Sequence, residues 1–269
     1  MPEIIEKLLI GKGKESEDGM FIGDNFLAVV DGVTSKGSHK FNGHTGGWYA
    51  KEIVLEAIKG LPKDIAGEGA MLKLNKAILD GYKDYLETAR EKIEERMQAC
   101  VIIFSVYMNE IWVFGDCQCI INNVLYKNEK KFDEIVSDMR ALVLEAYMLQ
   151  GKTQLELLED DKGREFIMPI LKKQGLFANL PSHLGYDVLD GFSKPCLDRM
   201  KRFKVKKGDT IILSSDGYPE LRDTLEESEN ALKNILEKDP LCAKTYISTK
   251  GLKPGNKSFD DRTYLKFIV

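Results

Sequence analysis

The chain has 269 residues, 43% hydrophobic and 30% charged, enough to bury a full core and within the range of one large domain. Thirty-nine Lys and Arg stand against 43 Asp and Glu, and the net charge of -4 argues against a broad basic surface for nucleic acid. The opening residues, Met1-Pro2-Glu3-Ile4-Ile5-Glu6-Lys7, lack the apolar centre of a signal peptide, and no stretch reaches the roughly 18 apolar residues that span a bilayer, so a soluble cytoplasmic protein without a membrane partner is expected.

Residues 26–31 (FLAVVD) form a short apolar run that ends in an acid and a glycine, which predicts a buried strand delivering Asp31 at its tip. A polar, glycine-rich loop follows over 35–47. Tyr49, Ala50, Ile53, Val54, Ala57 and Ile58 then recur at helical spacing until Gly60 and Pro62. Met71, Leu74, Ile78, Tyr82, Leu86, Ala89 and Ile93 extend the same period over a second, longer helix, whose charge run 87–96 is its solvated face.

Residues 99–107 and 111–116, joined by a turn at 108–110, predict a hairpin, and 118–126 supplies a third antiparallel strand in a meander. From 132 to 173 the pattern is helical again, with Thr153-Gln154-Leu155-Glu156 matching a capping box. This stretch reads either as plain packing or as a helical flap, about 132–185, inserted into a single domain spanning 1–269. Residues 210–215 (TIILSS) form another strand running into Asp216-Gly217. Thr224 caps a further helix, Asp239-Pro240 starts a last one, and 263–269 closes the chain as a strand. Strands before and after paired helices indicate an α+β layered domain and not alternating βαβ units.

Five cysteines, Cys100, Cys117, Cys119, Cys196 and Cys242, are an odd set without zinc-site spacing; the one close pair, Cys117 and Cys119, reads either as redox or soft-metal chemistry or, more simply, as buried free thiols on one face of a strand. Four acidic sites instead carry the chemistry, because each abuts a predicted strand end: Glu17-Asp18, Asp31, Asp216 and Asp260-Asp261. Clustered carboxylates repel unless a cation neutralises them, and such hard oxygen ligands suit Mg2+ or Mn2+. A glycine after the acid lets a carbonyl turn toward an ion or lets a substrate approach closely.

In chain order Glu17-Asp18, VVDG (29–32), GDCQC (115–119), LSSDG (213–217) and DDRT (260–263) resemble the successive motifs of the metal-dependent protein serine/threonine phosphatases of the 2C type, the PPM family, from about Gly11 to the C-terminus. The resemblance implies a four-layer α/β/β/α sandwich of two antiparallel sheets flanked by helices. It also implies two Mn2+ or Mg2+ ions, with Asp31 bridging, Glu17 and the Gly32 carbonyl on one ion, and Asp216 and Asp260 on the other. Asp18 and Asp116 fall at a third, weaker metal site. The activity so implied is hydrolysis of phosphoserine and phosphothreonine in a phosphoprotein substrate by a metal-activated water, in signalling, by a protein expected to be a monomer.

The chain departs from that family in lacking the arginine ahead of Glu17-Asp18, where its planar fork grips phosphate. Lys14 or Lys12 is the available substitute. His39 and His44, in the loop after the first Asp-Gly, are candidates to protonate a leaving alkoxide. Two other readings compete. VVDGVT superficially resembles the nucleophile loop of haloacid-dehalogenase-type phosphatases, but Val33 stands where their second acid belongs. A catalytically weak phosphatase-like domain acting as a binding or regulatory module is the other, and a pure binding module has no need of every core carboxylate.

Overall fold

The computed structural model describes residues 2–13 and 15–269. Two five-stranded sheets, antiparallel throughout, pack face to face. One has the order β1 (Glu3–Ile10), β10 (Arg262–Ile268), β9 (Thr210–Ser214), β6 (Gln118–Ile121), β7 (Val124–Tyr126). The other has the order β2 (Asp18–Ile22), β3 (Phe26–Gly32), β4 (Ala99–Ser105), β5 (Glu110–Phe114), β8 (Lys201–Lys204).

Alternation along the strands builds the layers, since successive side chains point to opposite faces. Leu27 and Val29 of β3 meet Ile211 and Leu213 of β9 and Leu265 and Phe267 of β10 between the sheets. Phe26, Ala28 and Val30 point the other way, onto Ala50, Val54 and Ile58 of helix α1 (Gly46–Lys59) and Met71, Leu74 and Ile78 of α2 (Gly67–Gly81). On the far side Ile212 and Tyr264 meet Leu232 of α7 (Leu225–Lys238). Both faces of β3 are therefore apolar, which is why it reads as a continuous run. The expected α/β/β/α sandwich is present.

Several expected elements differ. The long helix over 71–93 stops at Gly81, and its later turns are a separate short helix, α3 (Leu86–Glu91), flanked by single 3-10 turns. Lys83 takes a left-handed backbone (φ 50°), while the Tyr82 hydroxyl accepts from the Met97 amide at 2.7 Å and donates to the Asp190 carbonyl at 3.0 Å. Anchoring Tyr82 breaks the helix but keeps Tyr82 and Ala89 in the core. The expected meander also fails: at 115–117 the chain crosses between sheets, so β6 pairs with β9 and not with β5. Asp239 starts no helix; its carboxylate accepts from the amides of Ala243, Lys244 and Thr245 and closes a loop instead. β1 was hidden because a register shift between Ile4 and Glu6 turns Ile4 toward the inter-sheet layer and Leu8 toward the outer one, spoiling the alternation.

The expected helical stretch is present as α4 (Lys131–Leu149), α5 (Gln154–Glu159) and α6 (Lys162–Leu171), with the Thr153 capping box formed. The fully buried Arg140 of α4 joins it to the sandwich. Its guanidinium donates to Asp161 at 2.7 and 3.0 Å and to the carbonyls of Leu241, Cys242 and Ser248 at 2.8, 3.2 and 2.9 Å. Arg140→Met should destabilise the protein by about 3–5 kcal/mol, because Asp161 loses its ion-pair partner and the Leu241 and Ser248 carbonyls lose their donor together. Urea unfolding checks this, and a loss under about 1 kcal/mol would show that water replaces the guanidinium.

Candidate metal centre

Topology assembles the acids. The end of β3 and the start of β2 are paired with Asp18 opposite Asp31. β9 and β10 are antiparallel neighbours, so Asp216 just beyond one and Asp260 just before the other emerge at the same end. Asp116 lies in the crossing between sheets, which delivers it to the same seam. One oxygen each from Asp31, Asp116 and Asp216 lies within 4.8 Å of the other two, and among the described residues this is the one cluster with metal-ligand spacing.

The glycines after the acids serve close approach. A Cβ at Gly217 would lie 1.9 Å from the Asp261 carbonyl oxygen, and one at Gly32 would lie 2.2 Å from the Gly47 carbonyl oxygen. Both contacts are to neighbouring backbone, which only a residue without Cβ lets pass at this range.

Charge divides the acids into two groups. Lys12 Nζ lies 3.2 Å from Glu17, 3.2 Å from Asp260 and 2.9 Å from Asp261, and Lys250 pairs with Asp260. Glu17 also accepts from Thr34 at 2.8 Å and Thr45 at 2.6 Å. Desolvation pushes Glu17 and Asp260 upward, but these donors outweigh it and hold both carboxyls below their ordinary range. Asp31 and Asp216 have no ion pair among the described residues, and Asp116 has only Lys130, at 3.9 Å. Asp18, Asp31 and Asp216 stand well above the ordinary range, first through desolvation and then through the charges of neighbouring aspartates. The chain thus supplies close cations to Glu17 and Asp260 and leaves Asp31 and Asp216 without one, with Asp116 only at 3.9 Å from Lys130, and an all-carboxylate set of this kind fits a hard divalent cation.

The structure therefore redistributes the expected residues. Asp116, expected at a third site with Asp18, belongs to the compact cluster. Asp18 lies behind it, accepting from Thr263 Oγ1 at 3.0 Å. Asp260 and Glu17 are engaged by lysines. Lys12 acts as their counter-ion, and Lys14 lies outside the described residues. Neither histidine lines the cleft: His39 stacks on Tyr85 with centroids 3.5 Å apart, and His44 stacks on Trp48 and contacts Glu15 at 3.1 Å.

The cluster forms part of a cleft of about 570 Å³. Its walls include Lys36, Lys130, Arg164 and Lys250, of which sequence reading singled out none. Arg164 sits on α6, 148 positions beyond the stretch where an arginine was sought, counting from Ser16, and no periodicity or spacing signals it.

Desolvation and mutual repulsion set a sign for pH. Asp31 and Asp216 titrate higher when folded than the unfolded value of about 3.9, so the stability present below that value is lost as pH rises toward their folded pKa. In chelator, Asp31→Asn and Asp216→Asn should melt at or above wild type at mildly alkaline pH, with the advantage shrinking in acid. Thermal melts at both pH values decide this. Variants that melt well below wild type in alkali would show that these carboxylates stabilise the fold.

No family model matches the chain, and no curated protein matches it. Among solved structures, serine/threonine phosphatase Stp1 from Staphylococcus aureus is 16% identical over 100% of this chain and 95% of that one, with a TM-score of 0.50. The catalytic domain of serine/threonine protein phosphatase PstP in complex with two manganese ions is 18% identical over the whole of both chains, with a TM-score of 0.48. RsbX in complex with magnesium is 14% identical over the whole of both chains, with a TM-score of 0.45. At these identities the likeness is one of fold, and the two stacked antiparallel sheets between helices are the fold of the metal-dependent serine/threonine phosphatases of the 2C, or PPM, type.

Proposed function

We propose that this protein is a metal-dependent phosphomonoesterase acting on phosphoserine and phosphothreonine in proteins, as a cytoplasmic signalling phosphatase. The observation that carries the reading is the Asp31, Asp116 and Asp216 cluster, two of whose three carboxylates have no ion pair among the described residues, in a cleft with cationic walls. Asp31, Asp116 and Asp216 would hold Mn2+ or Mg2+, with Asp260, Glu17 and the Gly32 carbonyl as the further ligands of a two-ion site. When bound, such ions lower the pKa of a coordinated water and offset charge on phosphoryl oxygens.

The chain's own residues then have definite tasks. Asp31 comes from one sheet, near the end of β3 and opposite Asp18 across the β2–β3 pair. Asp216 and Asp116 approach it from the other sheet and from the crossing. The Gln118 amide donates to the carbonyls of Ser215 at 3.1 Å and Tyr218 at 2.8 Å, fixing the backbone around Asp216. Lys12 and Lys250 keep Glu17 and Asp260 ionised, so those carboxylates are ready as ligands once their ammonium partners move aside.

That same pairing favours a second reading, a phosphatase-like domain of weak turnover that serves as a binding or regulatory module. With Lys12 and Lys250 in place, two of the expected ligands are already satisfied. The two readings part in one assay. Chelator-stripped protein should not hydrolyse a phosphothreonine peptide, Mn2+ or Mg2+ should restore turnover, and Asp31→Asn should lower kcat by on the order of 10³-fold while remaining folded. Absence of turnover at saturating metal would leave the binding module standing. Undiminished turnover in chelator, or in Asp31→Asn, would overturn the metal-centred mechanism.

A further inference from the structure

The cleft places five cations around an acidic cluster; Lys127 is exposed to solvent, and the other four, Lys36, Lys130, Arg164 and Lys250, are not equally occupied. Lys250 is paired with Asp260, and Lys130 with Asp133 at 3.0 Å. Lys36 and Arg164 have no carboxylate partner within ion-pair distance among the described residues. The Lys36 ammonium is held only by the Thr34 carbonyl. Arg164 gives Nη1 to the Thr249 carbonyl at 2.7 Å, and its Nε and Nη2 donate to nothing in the described protein. Both side chains line the same cleft as Asp31, Asp116 and Asp216.

Unpaired cations crowded together in a half-buried cleft are costly unless an anion joins them. Lys36 registers that cost: desolvation first, then the charges of Arg164, Lys250 and Lys130, bring its ammonium down to about 7. The carboxylates nearby relieve it only in part: Asp133 offsets some of it, and Glu17 and Asp260 are already held by Lys12 and Lys250. A phosphate monoester is the chemical complement of this arrangement. Its oxygens would meet the free edge of a planar guanidinium and a single ammonium, while its phosphorus faces the acidic cluster across the cleft.

We infer that Lys36 and Arg164 together form the phosphate-binding grip of this protein, replacing the arginine absent ahead of Glu17-Asp18. This rests on the phosphatase reading for its substrate, a phosphoserine or phosphothreonine side chain, but the anion site itself stands on the cleft. The grip is then built from two distant parts of the chain. Lys36 comes from the loop after Asp31-Gly32, and Arg164 from the helical stretch α4–α6. Arg140 fixes that stretch against the 241–248 loop, and Thr249 at the end of that loop orients Arg164.

Two measurements separate the grip from the phosphatase reading. In the first, calorimetry follows binding of inorganic phosphate to chelator-treated protein at slightly acidic pH, where the Lys36 ammonium is protonated. Lys36→Gln and Arg164→Ala should each weaken binding by about tenfold or more, and Arg164→Lys, which keeps the charge and a donor for Thr249, should fall between. In the second, kinetics on a phosphothreonine peptide with Mn2+ should show KM raised by a similar factor and kcat altered less. Melting temperatures identify any variant whose loss comes from unfolding, and Arg164→Lys and Lys36→Gln carry the test if Arg164→Ala is unstable. If the variants lose phosphate binding while wild type turns over no substrate, the grip is supported and the phosphatase reading fails. If wild type turns over normally and neither phosphate affinity nor KM changes in the variants, the grip is overturned and the phosphatase reading survives. Wild-type protein that binds no phosphate would also overturn it.

Discussion

Three aspartates whose oxygens lie within 4.8 Å of one another are the constraint around which this molecule is arranged. The charges of Asp31, Asp116 and Asp216 repel one another, and desolvation makes those of Asp31 and Asp216 harder to hold. They are neighbours because the sandwich is strong enough to impose it. Apolar layers on both sides of β3 and β9 lock the strand ends, and the strand ends carry the acids. The apolar packing of the sheets thus supplies the energy that concentrates negative charge, and a divalent cation is the species that would relieve it.

The rest of the cleft follows the same electrostatic logic. Lys12 is the internal cation of the outer acids. Desolvation lowers its affinity for a proton, but Asp260, Glu17 and Asp261 together raise it further, so its ammonium is firmly charged. It therefore cannot serve at the same time as a free grip for substrate. Arg140 performs the matching task for the backbone, taking up three loop carbonyls, two of which, those of Leu241 and Ser248, have no other donor among the described residues. Through it, a helical stretch remote in sequence becomes a wall of the cleft. The cysteines take no part: Cys100, Cys117, Cys119 and Cys242 are buried, and desolvation raises their thiols above the ordinary range.

Much of this was legible before any coordinates. The two runs ending in Asp-Gly, 26–32 and 210–217, are strands buried on both faces, and that burial is why each appears as an unbroken apolar stretch. The capping signals at Thr153 and Thr224 are local, so they are present as read. Errors arose where a local pattern met a distant partner. The period from Met71 to Ile93 is continuous, but Tyr82 is anchored to Met97 and Asp190 and the helix breaks there. Strand β6 has the composition of a third meander strand, and only its partner β9 assigns it to the other sheet.

The sequence by itself determined which residues are apolar on both faces, which acids sit at strand ends, and therefore that a layered sandwich would present carboxylates along one edge. These are properties of single segments, governed by periodicity and by the residue that ends each run. The tertiary structure alone decided which of those carboxylates meet. Asp116 joins Asp31 and Asp216 because the chain crosses between sheets at that point, and Asp260 and Glu17 are each paired with lysines brought from distant segments. Charge pairing depends on distances across the fold, and no spacing along the chain encodes whether a lysine at position 12 will lie 3.2 Å from an aspartate at position 260.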